Sequence, residues 1–509
     1  MSEIRAEERF PADERDDESR DRGIPQRLGL AALAQDAAIY GGARVLLKSL
    51  AFLLVPLYAR YLTPAEFGVL ELVLAFAAFV DVFISLSGVL ARFYFDQDDS
   101  RWRKQAITLF FLIETIYPAV LIGGLLLFAN RLADPITGDA VYASLIVIAL
   151  IDLYLTNIVD ISMSLTRLRR KPWTFVLYAL TRGLTYVTLA ILLVAVWELG
   201  VKGILIASLT AACLVLVVSA KEYVRDLVRG VDWRVGREMI SFGWPTIVSA
   251  FAYYALNLLD RFFIKHYHGL EDNGLYGVAF RYSQIVLVGV FAFRMGWPQW
   301  HYSWLHTDRH PEMVARGANW FFAAIGFLAV LVSAWILPLF HLLMPPEYWD
   351  ATVAVAPLGL AAVATGAYAV TSVGLNVMKR MRLIPVTALL GGAFAIGLYF
   401  LLIPPFSYVG AAWATVAALW LMAAMIGVVS HRIYPVPWDY GRIGLALGTT
   451  VGLALASLAV DAWVPFDLSL PVRVGITAAY PAALLLGGFV APSDRARLRA
   501  RLGGLRRRR

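Results

Sequence analysis

Basic side chains recur inside segments of the chain that are otherwise long and apolar. Among them are Arg44, Lys48, Arg182, Arg261 and Arg281. Arg44 and Lys48 are four residues apart, so a helix would place them on one face. An ionised side chain is costly in apolar surroundings and usually marks the path of a substrate or an ion. These cations therefore predict a binding path for an anionic substrate.

Acidic side chains form a second set in the same kind of segment, namely Glu71, Asp81, Asp152, Asp160 and Asp260. Asp152 and Asp160 would share one face of a helix. A carboxyl group in a cleft of low dielectric constant can take up a proton, or bind Na⁺ together with hydroxyl groups. The acids therefore predict a site that couples transport to an ion gradient. The alternative, that they only neutralise the buried arginines, stays open.

The cations also have a structural alternative. Arg261 and Lys265 lie near the end of their apolar segment, where a long side chain can extend to the membrane surface. Arg44 and Lys48 lie too deep in theirs for that, and a buried ion pair with Glu71 or Asp81 is the alternative for them.

The elements that carry these charges are predicted to be membrane-spanning helices. The 509 residues are 60% hydrophobic and 16% charged, whereas a soluble chain is about 45–50% apolar and about 25% charged. The mean hydropathy is +0.67. Apolar windows of about 20 residues recur without the two-residue alternation of a membrane β-barrel. We therefore predict an all-α integral membrane protein with about 14 transmembrane helices, at residues 34–59, 66–92, 105–129, 141–166, 173–197, 200–221, 239–265, 274–300, 315–343, 351–377, 383–403, 409–430, 442–464 and 470–491.

The loops between these spans indicate their orientation. Loops on the side of the N-terminus hold about 20 Lys and Arg residues, and loops on the other side hold about 5. Basic loops stay in the cytoplasm, so both termini are predicted to be cytoplasmic. Residues 1–27 alternate in charge, which predicts a disordered tail without a signal peptide. The C-terminal tail ends in Arg506–Arg509 and is predicted to contact anionic lipid rather than nucleic acid.

An internal repeat divides the membrane region. The string Tyr61-Leu-Thr-Pro-Ala-Glu-Phe-Gly68 shares its Tyr, an acidic residue and its final Gly with Tyr267-His-Gly-Leu-Glu-Asp-Asn-Gly274, 206 residues later. An even number of spans separates the copies, so they are related by an axis along the membrane normal. The predicted segments are a disordered cytoplasmic tail (1–29), an N-terminal six-helix lobe (30–230), a C-terminal six-helix lobe (231–434), two further helices (435–491) and a basic cytoplasmic tail (492–509).

Two stretches carry a resemblance to a known family. The string Pro56-Leu-Tyr-Ala-Arg-Tyr-Leu-Thr-Pro-Ala-Glu-Phe-Gly-Val-Leu-Glu-Leu72 resembles the signature of the oligosaccharide flippases, the Wzx-like polysaccharide transporters. Ser241-Phe-Gly-Trp-Pro-Thr246 and Asn257-Leu-Leu-Asp-Arg261 are similar to the family in the same way. These transporters belong to the MATE-like multidrug/oligosaccharidyl-lipid/polysaccharide exporter superfamily.

The resemblance implies a V-shaped pair of six-helix lobes that works by alternating access. The implied activity is translocation of undecaprenyl-diphosphate-linked oligosaccharide across the inner membrane, with the lipid-linked glycan as substrate and polysaccharide-assembly proteins as further partners. Spans one, two, seven and eight face the central cleft in the family. Arg44, Lys48, Arg261 and Arg281 would then converge there from both lobes.

Two other functions remain as alternatives. A MATE-type exporter of drugs or small molecules needs a cleft rich in carboxylates and aromatic rings, whereas spans one, seven and eight are more basic. A membrane glycosyltransferase or polymerase needs a large outer loop, and the outer loops here are short. With the single cysteine Cys213, no HExxH string and no phosphate-binding glycine loop, we expect no metal, no cofactor and no catalytic residues.

Overall fold

The computed structural model describes residues 52–489 except Ser87, Asp98, His306 and Met381, and helices make up nearly all of this part. Eleven of its helices are long and apolar enough to cross a membrane. The predicted all-α membrane fold is therefore confirmed. Arg44 and Lys48 lie outside the described residues, as do both predicted tails.

The first half of the chain contains nine α-helices within the described residues. They are α1 (52–61), α2 (Pro64–Ile84), α3 (Val89–Tyr94), α4 (Ser100–Leu127), α5 (Ala129–Thr137), α6 (Ala143–Leu168), α7 (Pro172–Ile191), α8 (Gly200–Ser219) and α9 (Lys221–Val224). The second half, with the two final helices, contains α10 (Trp233–Asn257), α11 (Asp260–His268), α12 (Leu270–Tyr302), α13 (His310–Leu343), α14 (Thr352–Thr371), α15 (Val373–Val377), α16 (Leu383–Ile433), α17 (Tyr440–Trp463) and α18 (Phe466–Leu486).

The eleven spans and the predicted fourteen differ at three places. Most of the first predicted span lies outside the described residues. The seventh is broken between α10 and α11, because Leu258 leaves the helical conformation at φ −137°. The eleventh and twelfth are joined in the 51-residue α16, which bends at Ser407 with φ 50° and ψ −138°. The number fourteen stays a prediction.

Side-chain caps fix where several helices begin. The hydroxyl of Thr63 accepts from the backbone N–H of Glu66, and the Glu66 carboxylate accepts from the N–H of Thr63, so α2 begins in a capping box. Asp99, Asp232 and Asp439 cap α4, α10 and α17 in the same position. Each cap satisfies backbone donors that have no partner within the helix.

The membrane helices end at two faces. The connecting segments at 95–97, 169–171, 225–232, 303–305, 378–380 and 434–439 define the basic face. The segments 62–63, 128–142, 197–199, 344–351 and 464–465, which include α5 and two short 3₁₀ helices, define the opposite face. Contacts across the chain agree with this division. Arg169 pairs with Asp226 at the basic face, and the Tyr348 hydroxyl donates to the carbonyl of Leu62 at the opposite face, at 2.8 Å.

The last two helices pack against the second half through a buried ion pair. Helices α17 and α18 both contact α13. The fully buried Arg473 of α18 donates to Asp461 of α17 at 2.6 Å and to the carbonyl of Ala334 in α13 at 2.7 Å. A buried arginine persists only where such partners replace its hydration. This contact therefore fixes the final helices to the bundle.

The backbone repeats between the two halves. Arg170 and Lys379 both have φ near +50°, and both end a helix before the next span. Lys171 donates its N–H to the carbonyl of Thr166, and Arg380 donates to that of Leu375, which is the same cap at both positions. Glu198 and Ser407 form a second pair with positive φ. Both pairs are separated by 209 residues, close to the offset of the repeat in the sequence.

Gly68 and Gly274, the two glycines of the sequence repeat, contact each other between α2 and α12. A Cβ on Gly68 would overlap the carbonyl of Leu270, and a Cβ on Gly274 would overlap the carbonyl of Pro64. Pro64 precedes Gly68 by as many residues as Leu270 precedes Gly274, so the contact is symmetric. The Asn273 side chain donates to the carbonyl of Gly68 at 2.9 Å. Backbone contact of this closeness seals the two halves together near the opposite face.

Candidate functional site

One carboxylate of the first half binds two arginines of the second half. Glu71 lies one helical turn beyond Gly68 on α2, and both of its oxygens are engaged. Oε1 accepts from Arg281 Nη2 at 2.7 Å and Nε at 2.9 Å, and Oε2 accepts from Arg261 Nε at 3.1 Å. Gly277 makes room for this side chain, because a Cβ there would overlap the Glu71 Cγ. The network joins α2, α11 and α12 across the two halves.

The break between α10 and α11 positions Arg261. Because α10 ends at Asn257, the carbonyl of Asn257 is free to accept from Arg261 Nη1, at 2.9 Å. The same Nη1 atom donates to Asp260 Oδ1 at 3.1 Å, and the Tyr276 hydroxyl donates to the other Asp260 oxygen. An unbroken helix would keep the Asn257 carbonyl occupied. The break therefore supplies one of the partners that a buried guanidinium requires.

The network is electrically balanced, but its two arginines differ in access. Two carboxylates, Glu71 and Asp260, face Arg261 and Arg281. The Arg261 side chain is 1% exposed and lies 4.6 Å from the ring centre of Phe280. The Arg281 side chain is 25% exposed and lies 5.0 Å from that of Phe67. Arg281 is therefore the cation that a ligand can reach, and Arg261 holds the carboxylates in place.

Arg182 belongs to a separate polar group in the first half. Its Nη2 donates to Thr156 Oγ1 at 2.8 Å, and the Ser208 hydroxyl donates to Asp152 at the same distance. Arg182 and Asp152 also attract each other electrostatically. The hydroxyl groups of Tyr58 and Tyr186 are 2.8 Å apart and both lie in the field of Arg281. Tyr186 also interacts electrostatically with Asp152, so the tyrosine pair links the Arg182 group to the Glu71 network.

The remaining predicted acids, Asp81 and Asp160, lie near a carboxylate that the sequence analysis did not single out. Glu114 of α4 is buried and accepts from the N–H of Leu86 at 2.8 Å. It interacts electrostatically with both aspartates. Glu114 and Asp160 line a cavity of about 510 Å³ in the first half. Glu114 is the one acidic residue in the apolar segment 105–129. An acid inside an apolar segment was the reason to select Asp81 and Asp160, and the same reason applies to Glu114.

Lys265 lies at the opposite face, where its Nζ donates to the carbonyl of Pro135 at 3.3 Å. It thereby adds a contact between the two halves. No group of three or more His, Cys, Asp and Glu side chains that could hold a metal occurs among residues 52–489, as far as they are described.

The chain is similar to one known protein family and to several solved structures. The family described as polysaccharide biosynthesis protein matches residues 33–296. No curated protein matches the chain by sequence. Among solved structures, the lipid II flippase MurJ in an inward closed conformation is similar with a TM-score of 0.68 at 12% identity, covering 88% of this chain and 98% of that one.

Two multidrug resistance MATE family transporters of the MOP superfamily are similar as well. The inward-facing one has a TM-score of 0.59 at 13% identity and covers 79% of this chain and 95% of its own. The outward-facing one has a TM-score of 0.51 at 13% identity and covers 80% and 95%. The fold is thus shared with this flippase and with these two transporters.

Proposed function

The chain belongs to the polysaccharide biosynthesis protein family, and on that premise we propose that it translocates undecaprenyl-diphosphate-linked oligosaccharide across the inner membrane. We assign the basic face to the cytoplasm because its loops hold an excess of Lys and Arg, and both termini are proposed to lie on that side. The segments 30–230 and 231–434 act as the two lobes, and helices 435–491 stand outside the repeat.

The Glu71–Arg281 contact carries the proposal. An arginine fork matches the oxygens of a phosphate as well as those of a carboxylate, so a diphosphate can replace Glu71 on Arg281. Arg281 is partly exposed, whereas Arg261 is fully buried and still faces Asp260. Cargo binding at Arg281 would release Glu71 from one of its two partners and weaken the contact between the halves. Arg44, Lys48 and Arg182 are proposed to contact the same cargo.

The seal near the opposite face supports a proposal of alternating access. In this conformation the Gly68–Gly274 contact and the Glu71 network close the two halves together. Loss of the Glu71–Arg281 ion pair weakens the second closure, because Arg261 alone then still joins Glu71 to the second half. The carboxylates Asp81, Asp152, Asp160 and Glu114 are proposed to take up the coupling ion. Asp260, held by Arg261 and Tyr276, is proposed to position Arg261 instead.

Leaflet exchange of a labelled cargo tests the proposal. The full chain is reconstituted in vesicles containing fluorescent undecaprenyl-diphosphate glycan, and a membrane-impermeant quencher reports how much of the label has reached the outer leaflet. We expect exchange well above that of empty vesicles, and its loss in Arg281→Ala. The matched control is Arg101→Ala, an exposed arginine on the basic face. Exchange no faster than in empty vesicles would overturn the proposal.

The cavity bearing Glu114 and Asp160 supports a second candidate function. A space of about 510 Å³ lined by two carboxylates and one arginine, Arg167, keeps an excess of negative charge and suits a cationic small molecule, the cargo of a MATE-type exporter. The two functions differ in the residues that they need. Cation export would depend on Glu114 and be insensitive to Arg281→Ala, whereas glycolipid exchange would depend on Arg281.

A further inference from the structure

A second cluster of basic side chains surrounds a cleft on the basic face, at the ends of α3, α4, α6 and α7. The cleft has a volume of about 310 Å³. Its lining contains five basic residues and one acid, together with Tyr94, Ser100 and Ile107. The charged ones are Arg103, Lys104, Arg169, Lys171, Arg225 and Asp226. We call this the basic-face cleft.

The walls of the basic-face cleft are fixed by hydrogen bonds between distant segments. Arg169 Nη1 donates to the backbone carbonyl of Glu222 at 2.8 Å and to its carboxylate at 3.1 Å, while Nη2 pairs with Asp226. Thr108 Oγ1 of α4 accepts from the N–H of Val228 at 3.1 Å. The segment 222–228 is therefore held against both α4 and the end of α6. A cleft with such walls is preformed.

The acidic side chains at the cleft already form ion pairs, and two basic side chains are left without one among the described residues. Asp226 and Glu222 both pair with Arg169, and Glu222 also faces Lys171 at 3.3 Å. Lys104 and Arg225 are exposed, and neither forms an ion pair with any residue that the structure describes. The cleft therefore presents a positive surface that is not neutralised from within. An anion is the ligand that complements it.

The position of the cleft along the membrane normal selects the kind of anion. It lies where α4 begins at Ser100, α6 ends at Leu168 and α7 begins at Pro172. Trp173, in the first turn of α7, is 72% exposed. Exposed Trp side chains at the ends of spans occupy the level of the lipid head groups. The phosphates of a bilayer lie at that level too.

We propose that the basic-face cleft binds the phosphate of a membrane lipid, as a site separate from the transport path. Glu71 is about 20 Å from the basic-face end of α2, given a rise of about 1.5 Å per residue over the residues up to Ile84. The phosphate is that of an anionic phospholipid or of a polyprenyl diphosphate waiting at the cytoplasmic mouth. Lys104 and Arg225 bind it, and Arg169 holds the wall. Binding of phospholipid at this site does not depend on the proposed transport activity.

Native mass spectrometry of the full chain in detergent tests the site, with dioleoylphosphatidylglycerol as the probe. Dioleoylphosphatidylcholine, which has no net charge, is the reference lipid. We expect the double variant Lys104→Gln/Arg225→Gln to bind phosphatidylglycerol about 30-fold more weakly. That factor corresponds to about 2 kcal/mol, since each basic side chain near a membrane surface contributes about 1 kcal/mol. The control Arg101→Gln/Arg229→Gln removes the same charge from exposed positions outside the cleft and should retain the wild-type affinity.

A second titration, with undecaprenyl diphosphate, distinguishes the two sources of phosphate. It is carried out on chains that also carry Arg281→Ala, so that binding through Arg281 does not contribute and is equal in the cleft variant and its reference. Weaker binding of both lipids in the cleft variant supports a site for either phosphate, and weaker binding of one identifies that lipid as the occupant. Two results would overturn the proposal: unchanged affinity for both lipids in the cleft variant, or an equal loss in the control. A thermal denaturation curve confirms that each variant is folded.

Discussion

Substitution of Glu71 by Gln separates cargo binding from cargo release. In the wild type, a diphosphate that binds Arg281 must displace two charge-assisted hydrogen bonds, of 2.7 and 2.9 Å, to one carboxylate oxygen. A glutamine amide keeps the shape but carries no charge, so it still accepts from the charged Arg281 while the attraction between opposite charges is lost. A hydrogen bond to a charged group contributes about 1.5–3 kcal/mol, and a bond between two oppositely charged groups lies at the upper end of that range. The competitor on Arg281 is therefore weakened by about 1.5 kcal/mol.

This difference predicts that Glu71→Gln binds undecaprenyl diphosphate about tenfold more tightly. Cargo held more tightly leaves more slowly, so we expect the maximal rate of leaflet exchange to fall by a comparable factor. The fold should survive, because Arg261 keeps Asp260 at 3.1 Å. Affinity is measured by titration of the solubilised chain, and exchange by quenching in vesicles.

Glu347→Gln is the matched control for this variant. Glu347 is exposed at the opposite face and forms no ion pair with the described residues, so the same change in charge should alter neither affinity nor exchange. Unchanged or weaker binding in Glu71→Gln would refute the reasoning, because Glu71 would then not compete with the cargo for Arg281. A tenfold gain in Glu347→Gln as well would attribute the effect to overall charge.

Three further changes probe other parts of the molecule. Gly68→Ala should lower the free energy of unfolding of the closed conformation by about 1–3 kcal/mol, because the added methyl group overpacks against α12. The measurement is a lower Tm. In the control Gly444→Ala the new Cβ would have nothing within 4 Å, so Tm should stay unchanged or rise. Arg473→Met leaves Asp461 buried without its partner and should lower the free energy of unfolding by about 3–5 kcal/mol. Adding Asp461→Asn to the same chain should restore part of that stability. A double variant as unstable as Arg473→Met alone would contradict the role of the ion pair. Glu114→Gln should make glycolipid exchange insensitive to an imposed pH gradient if this acid takes up the coupling ion, and an unchanged response to the gradient would exclude that role.

The sequence predicted the class of fold because hydrophobicity over about 20 residues is a local property. It also selected Glu71, Arg261 and Arg281, because a charge within an apolar segment is visible without knowledge of its neighbours. Their pairing was not predictable. Glu71 and Arg281 are separated by 210 residues in the sequence. The sequence grouped Glu71 with the candidates for ion coupling, and only the packing of α2 against α12 shows that it faces the arginines.

The break in the seventh span escaped prediction for a different reason. Leu258 and Leu259 are ordinary residues for a helix, and nothing in their types indicates that α10 ends at Asn257. The ending is stabilised by tertiary contacts, since Arg261 uses the freed carbonyl of Asn257 and the buried Asp260 at once. Helical propensity is a weak determinant where such contacts compete with it.

The symmetric contact between Gly68 and Gly274 has the geometry of an isologous interface, in which two copies meet through the same patch of surface. The chain therefore carries, within a single polypeptide, the kind of seam that joins the subunits of a twofold dimer. The two halves are equivalent in such a contact, so neither is the fixed part and neither the moving part. Under the proposed alternating access, opening this contact moves both halves away from the axis together, and each half exposes the same stretch of backbone as the other.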